Sequence, residues 1–168
     1  DFYSLQKLSA LISVSGFHTS QRFKVLTTDV PASVPASVPI YLALHTIDDL
    51  SVLTGDEYRE KGGGNFARWQ PHITNWHRNL YACVQAAPDV QAGELLLVSQ
   101  HGPEALQHMG LSPLAMDAVA LEGFPPQRWM AKLTVEQRNA MTALPPSLHA
   151  YEAMTEQLRK TAFPQSAC

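Results

Sequence analysis

Imidazole is the side chain that best suits proton transfer near neutral pH, and this chain carries seven histidines in 168 residues. His18 and His45 fall on two neighbouring predicted strands and could approach each other across the ladder. His18 shares the polar side of its strand with Ser20, Arg22 and Lys24, which equally suits a solvated imidazole. His45 interrupts the apolar run Ile40-Tyr41-Leu42-Ala43-Leu44-His45-Thr46-Ile47. A buried ring there must find a partner, either as a satisfied core histidine or as a pocket base. His72 and His77 flank a predicted helical stripe on opposite sides, so the two cannot enter one cavity together. Tyr58 and Arg59 follow a turn. A phenol can donate to a developing enolate and a guanidinium can grip a carboxylate with two bonds, although both side chains also suit a surface with packed stems. Trp69 and Trp76 suit core packing, or a sandwich around an aromatic ligand.

Other chemistries find less support. Neither H-x-x-x-H nor H-E-x-x-H occurs, and His72 and His77 are five apart rather than four, so no metal site is expected. His101 and His108 flank Glu104 without a recognised ligand spacing. Gly62-Gly63-Gly64 lacks the context of a phosphate loop, and no G-x-S-x-G elbow points to covalent catalysis. Cys83 and Cys168 lack C-x-x-C spacing and read as a buried thiol within a stripe and a tail thiol. Charged residues are only 16%, the net charge is −3 and the pI is about 6.1, which argues against a nucleic-acid partner. No window approaches the length of apolar sequence that spans a bilayer. The start, Asp1-Phe2-Tyr3, has neither a basic region nor a cleavage site, so a cytoplasmic setting is the default expectation. It also lacks an initiator Met, which suggests a processed chain or a fragment.

The elements that must position these residues alternate between two periods. Apolar Leu5, Leu8, Leu11 and Ile12 recur at three and four, predicting a helix to about Val14 that Gly16 stops. From Phe17 to Leu26 the period is two, with Phe17, Thr19, Gln21, Phe23 and Val25 on one side of a strand. Three prolines between Pro31 and Pro39 predict an extended connector. The run from Ile40 to Ile47 reads as a central strand, Asp48-Asp49 as a turn or cap, and Asp56 to Glu60 as a short helix. Phe66, Trp69, Ile73, Trp76, Leu80, Cys83 and Val84 form a stripe that predicts a helix from Asn65 to about Ala86. Gly93 to Ser99 reads as a strand and Pro103 to His108 as a short helix. Met116 to Glu122 and Arg128 to Leu133 read as paired strands, and Val135 to Met141 and Ser147 to Lys160 as helices. Gly16-Phe17 through Phe23 has a short echo in Gly123-Phe124-Pro125-Pro126-Gln127-Arg128-Trp129, the trace of an internal repeat.

Helix, strand, strand, helix, strand is a ferredoxin-like βαββαβ unit without its first strand. Gly16-Phe17, Gln21-Arg22-Phe23, Tyr41-Leu42-Ala43-Leu44, Glu57-Tyr58-Arg59 and Arg68-Trp69-Gln70-Pro71-His72 occur in that order, with Arg78 and Tyr81 later. In this the chain resembles the EthD-like dimeric α+β barrel family over roughly residues 1–99. The resemblance implies an α+β fold, an antiparallel sheet with helices on one face, and two such sheets packed as a homodimer. Residues 100–168 then form a degenerate second unit or a helical extension. If they are a second copy, the barrel could instead close within one chain.

The resemblance also implies a pocket for a small aromatic or polyketide-like molecule. The expected function is a cofactor-independent isomerase, cyclase or lyase acting on an unsaturated acid or aromatic metabolite. His45, His72, His18 and Tyr58 are the catalytic candidates, His72 because of its Pro-His position. Arg59, Trp69, Trp76 and Tyr41 are the substrate-binding candidates. The competing readings are a non-catalytic dimeric module whose interior is packed by Trp69, Trp76 and Phe23, and, less favoured, a haem- or oxygen-handling barrel.

Overall fold

Period-two alternation governs most of the chain and builds one sheet. The computed structural model describes residues 6–26, 39–63 and 77–160. In order these are α1 (Leu8–Ile12), β1 (Phe17–Val25), β2 (Tyr41–Ile47), α2 (Ser51–Thr54) and α3 (Asp56–Tyr58), which runs into a π-turn at Arg59–Gly63. Next come β3 (Asn79–Ala82), β4 (Leu95–Ser99), α4 (Glu104–His108), β5 (Leu114–Leu121), β6 (Gln127–Leu133), α5 (Val135–Asn139), β7 (Leu148–Ala153) and β8 (Leu158–Arg159). The fold is α+β with few helices. Its antiparallel sheet runs β2-β1-β7-β4-β6-β5-β3, with β8 beside β1, and curls strongly into a half-barrel.

The two faces of the sheet bury separate clusters. Phe23 and Val25 of β1, Leu96 and Val98 of β4, Leu114 and Met116 of β5, Met130 of β6 and Tyr151 of β7 fill the concave side. Alternate residues on the same strands, among them Leu95, Leu97, Ala131, Leu133, Leu148 and Ala150, face outward, where Leu106 of α4 packs on them. Phe17 and Ile47, at the other end of the outer face, are covered by Leu11 of α1 and Val52 of α2. β4 is therefore buried throughout its length. No helix among the described residues is long and apolar enough to cross a membrane.

Local signals hold at several points. Gly16 ends the first helical stretch with φ +83°, and an added Cβ would meet Val52 at 2.4 Å, so glycine is required there twice over. The carboxylate of Asp49 accepts the backbone N–H of Ser51 at 2.7 Å as α2 begins. At Gly62 a Cβ would lie 2.7 Å from Leu11 and 3.0 Å from the Tyr58 ring, and its carbonyl accepts from Lys7 Nζ. Gly62 thus serves close packing of the π-turn on α1.

Four expectations are corrected. The apolar run from Ile40 to Ile47 is not a central strand: β2 is one end of the sheet path among the described residues, and none of its residues is fully buried. Residues 79–82 are not the end of a helix but strand β3, paired with Asp117 to Leu121 of β5. Leu80, Cys83 and Val84 fit a helical stripe by spacing, yet Cys83 and Val84 are exposed. Residues 147–160 are not a helix but β7 and β8, with β7 laddered to β4 and β1. Their Leu, Ala, Glu, Met and Gln are good helix formers, and burial on both faces of the sheet overrides that propensity. Phe17 does not share a face with Thr19, because the register shifts between them at His18. It therefore pairs with Ile47 on the outer side. The Pro31 repeat, Trp69, His72, Trp76 and Cys168 lie outside the described residues.

Candidate functional site

Strand β6 places Arg128, Met130 and Lys132 on one face by simple alternation, and Met130 fixes that face as the concave one. Lys132 pairs with Glu94 at 3.1 Å. The Arg128 guanidinium stands 5.7 Å from the ring centroid of Tyr81, on β3. Its Nε is buried with no hydrogen-bond partner among the described residues. A buried donor left open in this way is costly, and it marks a place where an acceptor belongs.

The surrounding groups are held firmly. Asn79 of β3 donates from Nδ2 to the Phe124 carbonyl at 2.9 Å and accepts from the Phe124 N–H at 3.2 Å, stitching β3 to the β5–β6 turn. His77 adds a 2.8 Å bond to Glu122 in the same turn. Tyr81 donates to the Pro125 carbonyl at 3.2 Å, and burial raises its pKa against the opposing charge of Arg128. Tyr151 donates to the Pro39 carbonyl at 3.2 Å, and burial pushes it up to about 12. Both phenols keep their protons and form walls.

His149 shares the Tyr151 face of β7 and is half-buried. Desolvation lowers its pKa, and the charges of His101 and Arg128 lower it further. The imidazole is therefore neutral at pH 7 and able to accept a proton. Arg128 is the shared electrostatic influence on Tyr81, His149 and Tyr151. At the Lys132 end of β6, an open cleft of about 390 Å³ is lined by Leu114, Met130 and Lys132 together with Leu111 and Ala131 of the outer cluster, so it sits at the end of the sheet rather than on one face.

The residues singled out from sequence sit elsewhere. His45 lies on the outer face, where its Nδ1 meets Ser20 Oγ at 2.9 Å. Phe17 packs edge-on to its ring at 5.7 Å, and Tyr58 stacks on Phe17 at 6.1 Å. Desolvation, with the charge of Lys7, lowers His45 to about 4, the signature of a satisfied structural histidine. His18 bonds Asp48 at the rim, 52% exposed. Arg59 is exposed and pairs with Asp56 at 2.9 Å. Tyr41 is exposed, with the Arg22 guanidinium 4.9 Å from its ring centroid. Cys83, expected to be buried, is exposed, and its thiol pKa is raised by desolvation rather than lowered towards a reactive thiolate. Among the described residues no three His, Cys, Asp or Glu side chains converge as a metal cage.

His45 gives a stability prediction with a definite sign. Its folded pKa lies below the unfolded value, so the unfolded chain binds the extra proton first as pH falls. Stability is complete above pH 6.5 and is lost as pH falls towards 4, by about 1–3 kcal/mol given the partial access of solvent to the ring. His45→Gln should flatten that part of the profile in urea titrations. An unchanged slope would refute the assignment.

Comparison with protein-family models, with curated proteins and with solved structures finds no match. Arg128 and His149, then, stand on geometry alone. The sequence carried one usable signal for Arg128: two cations spaced four apart on a strand, with Met130 between them.

Proposed function

We propose that the chain is two ferredoxin-like halves sharing one curled sheet, and that its concave face takes a small unsaturated or aromatic carboxylic acid. The strand order supports the first part. β4-α4-β5-β6-α5-β7 has the element sequence of a complete βαββαβ unit, and its strands lie in the order β7-β4-β6-β5. α1 to β3 repeats that sequence from its second element onward. The pairings β1 with β7 and β3 with β5 join the halves at both ends, which supports closure within one chain over a homodimer of sheets. In this reading β4 opens the second half, and β1 is equivalent to β5. The Gly16 and Gly123 echo instead aligns β1 with β6, and so carries no weight.

The buried Nε of Arg128, which has no hydrogen-bond partner among the described residues, is the observation that carries the ligand assignment. A carboxylate there gains a charge-assisted bond, and an apolar tail would run over Met116, the cross-strand neighbour of Arg128, towards Met130. Neutral His149 would take a proton from the carbon next to the carboxylate, while Arg128 offsets the enolate charge that develops. The proton returns at another carbon, so the net reaction is an isomerisation that needs no cofactor.

Styrylacetate and its neutral amide test the reading in solution. The acid should bind more tightly, and Arg128→Met should weaken it by about 10- to 100-fold while leaving the amide unchanged. Deuterium uptake by bound styrylacetate in heavy water should fall by about a hundredfold or more in His149→Gln. Equal affinity for acid and amide would overturn the site. A second reading, a binding module without turnover, draws support from the filled concave cluster around Phe23 and Leu96. It predicts binding of the acid with no deuterium uptake.

A further inference from the structure

We infer that the opening between β2 and β3 takes one extended strand, antiparallel to both, and that this strand closes the sheet into a barrel. The inference rests on the two-half reading and not on the acid site. β2 and β3 are the two ends of the sheet path among the described residues. Both bend round the same core, since Leu42 and Leu44 of β2 and Tyr81 of β3 pack against the cluster that holds Phe23 and Met130. In the second half β4 lies between β6 and β7, antiparallel to each. The first-half equivalents of β6 and β7 are β2 and β3, so the place between them corresponds to that of β4.

Three observations describe the occupant. β4 is buried at every residue, whereas Leu42 to Ile47 of β2 are each half-buried, as expected of a strand with cover missing on one side. The edge of β2, Tyr41-Leu42-Ala43-Leu44-His45-Thr46-Ile47, carries no lysine, proline or carboxylate to repel a pairing strand, so it is a template for one. Connectivity then sets the source. β4 leads into α4 and on to β5, so the strand in the equivalent place leads into α1 and on to β1. The occupant is an apolar strand of β4-like length joined to the N-terminal side of α1. Paired at both edges, it removes the two open edges together, which only closure of a sheet achieves.

The test appends to Asp1 of the whole chain, through a flexible linker, a copy of Gly93-Glu-Leu-Leu-Leu-Val-Ser-Gln100. A control carries prolines at alternate positions of the copy, because proline cannot join a ladder. Amide hydrogen exchange is followed residue by residue, with mass measured by light scattering. The outward amides of both β2 and β3 should exchange about a hundredfold more slowly in the fusion than in the parent or the proline control, with all three monomeric. Equal exchange in the fusion and the control would overturn the docking, as would outward β2 amides already protected in a monomeric parent. Concentration-dependent protection of β2 in a dimeric parent would assign the place to a second copy and overturn it too. Protection of β4 to β7 unchanged throughout would leave the two-half reading standing while the docking fails, so the two can fail separately.

Discussion

Phe23→Ala should lower stability by about 3–5 kcal/mol and make both halves of the sheet unfold together at lower urea. Phe23 is 0% exposed and lies in the cluster shared by β1, β4, β5, β6 and β7. Its ring stands on the first half and most of its neighbours on the second, so the cavity left by alanine weakens the contact that makes them one unit. Such a loss is a large share of the typical stability of a domain this size. Far-ultraviolet dichroism and tyrosine fluorescence should report one coincident transition in both parent and variant. Two separated transitions, or a loss under about 1 kcal/mol, would mean that the halves do not share the core described.

Gln21→Leu should cost about 3 kcal/mol or more although it keeps the side chain's size. Gln21 is buried on the concave side, where its Nε2 donates to the Val90 carbonyl at 2.7 Å and the Thr155 carbonyl at 2.9 Å. Its Oε1 accepts the Val90 N–H at 3.2 Å. Leucine would strand these three backbone groups away from water. Neighbouring bonds share the load, since Gln157 donates to the Ala87 and Pro88 carbonyls and Ala87 N–H donates to Thr46. The variant should therefore open locally first, with amides from Ala87 to Val90 losing protection before those of β4. Gln21→Glu should be worse, because a carboxylate cannot donate to either carbonyl. Near-neutral stability in both variants would refute the anchoring role.

The legible part of the fold was the part where one period dominates. β1, β2, β4 and the β5–β6 pair alternate cleanly or run apolar, and each forms close to the predicted span. The illegible part was set at long range. Leu148-His149-Ala150-Tyr151 supports a helix by composition, and only its pairing with Leu96 to Ser99 on one side and β1 on the other makes it a strand. Asn79 to Ala82 is short and continues an apparent stripe, so its partner β5 decides it. The face of Phe17 turned on a bulge at His18 that no local signal marks. The site followed the same rule. His45 stands out in its apolar run, yet its surroundings satisfy it on the outer face. His149 became visible only once its segment was known to be a strand with that residue on the concave side.

The proposed carboxylate site beside Arg128 is tested most directly by the titration of His149, followed through its ring-carbon resonances with and without styrylacetate. Alone, the imidazole should titrate below the ordinary histidine value, because burial and the charges of His101 and Arg128 disfavour its cation. Saturating styrylacetate should raise that midpoint, since a carboxylate at Arg128 favours the imidazolium, and the amide should leave it where it is. A midpoint unmoved by the acid, with the acid bound and shifting resonances elsewhere, would contradict the account.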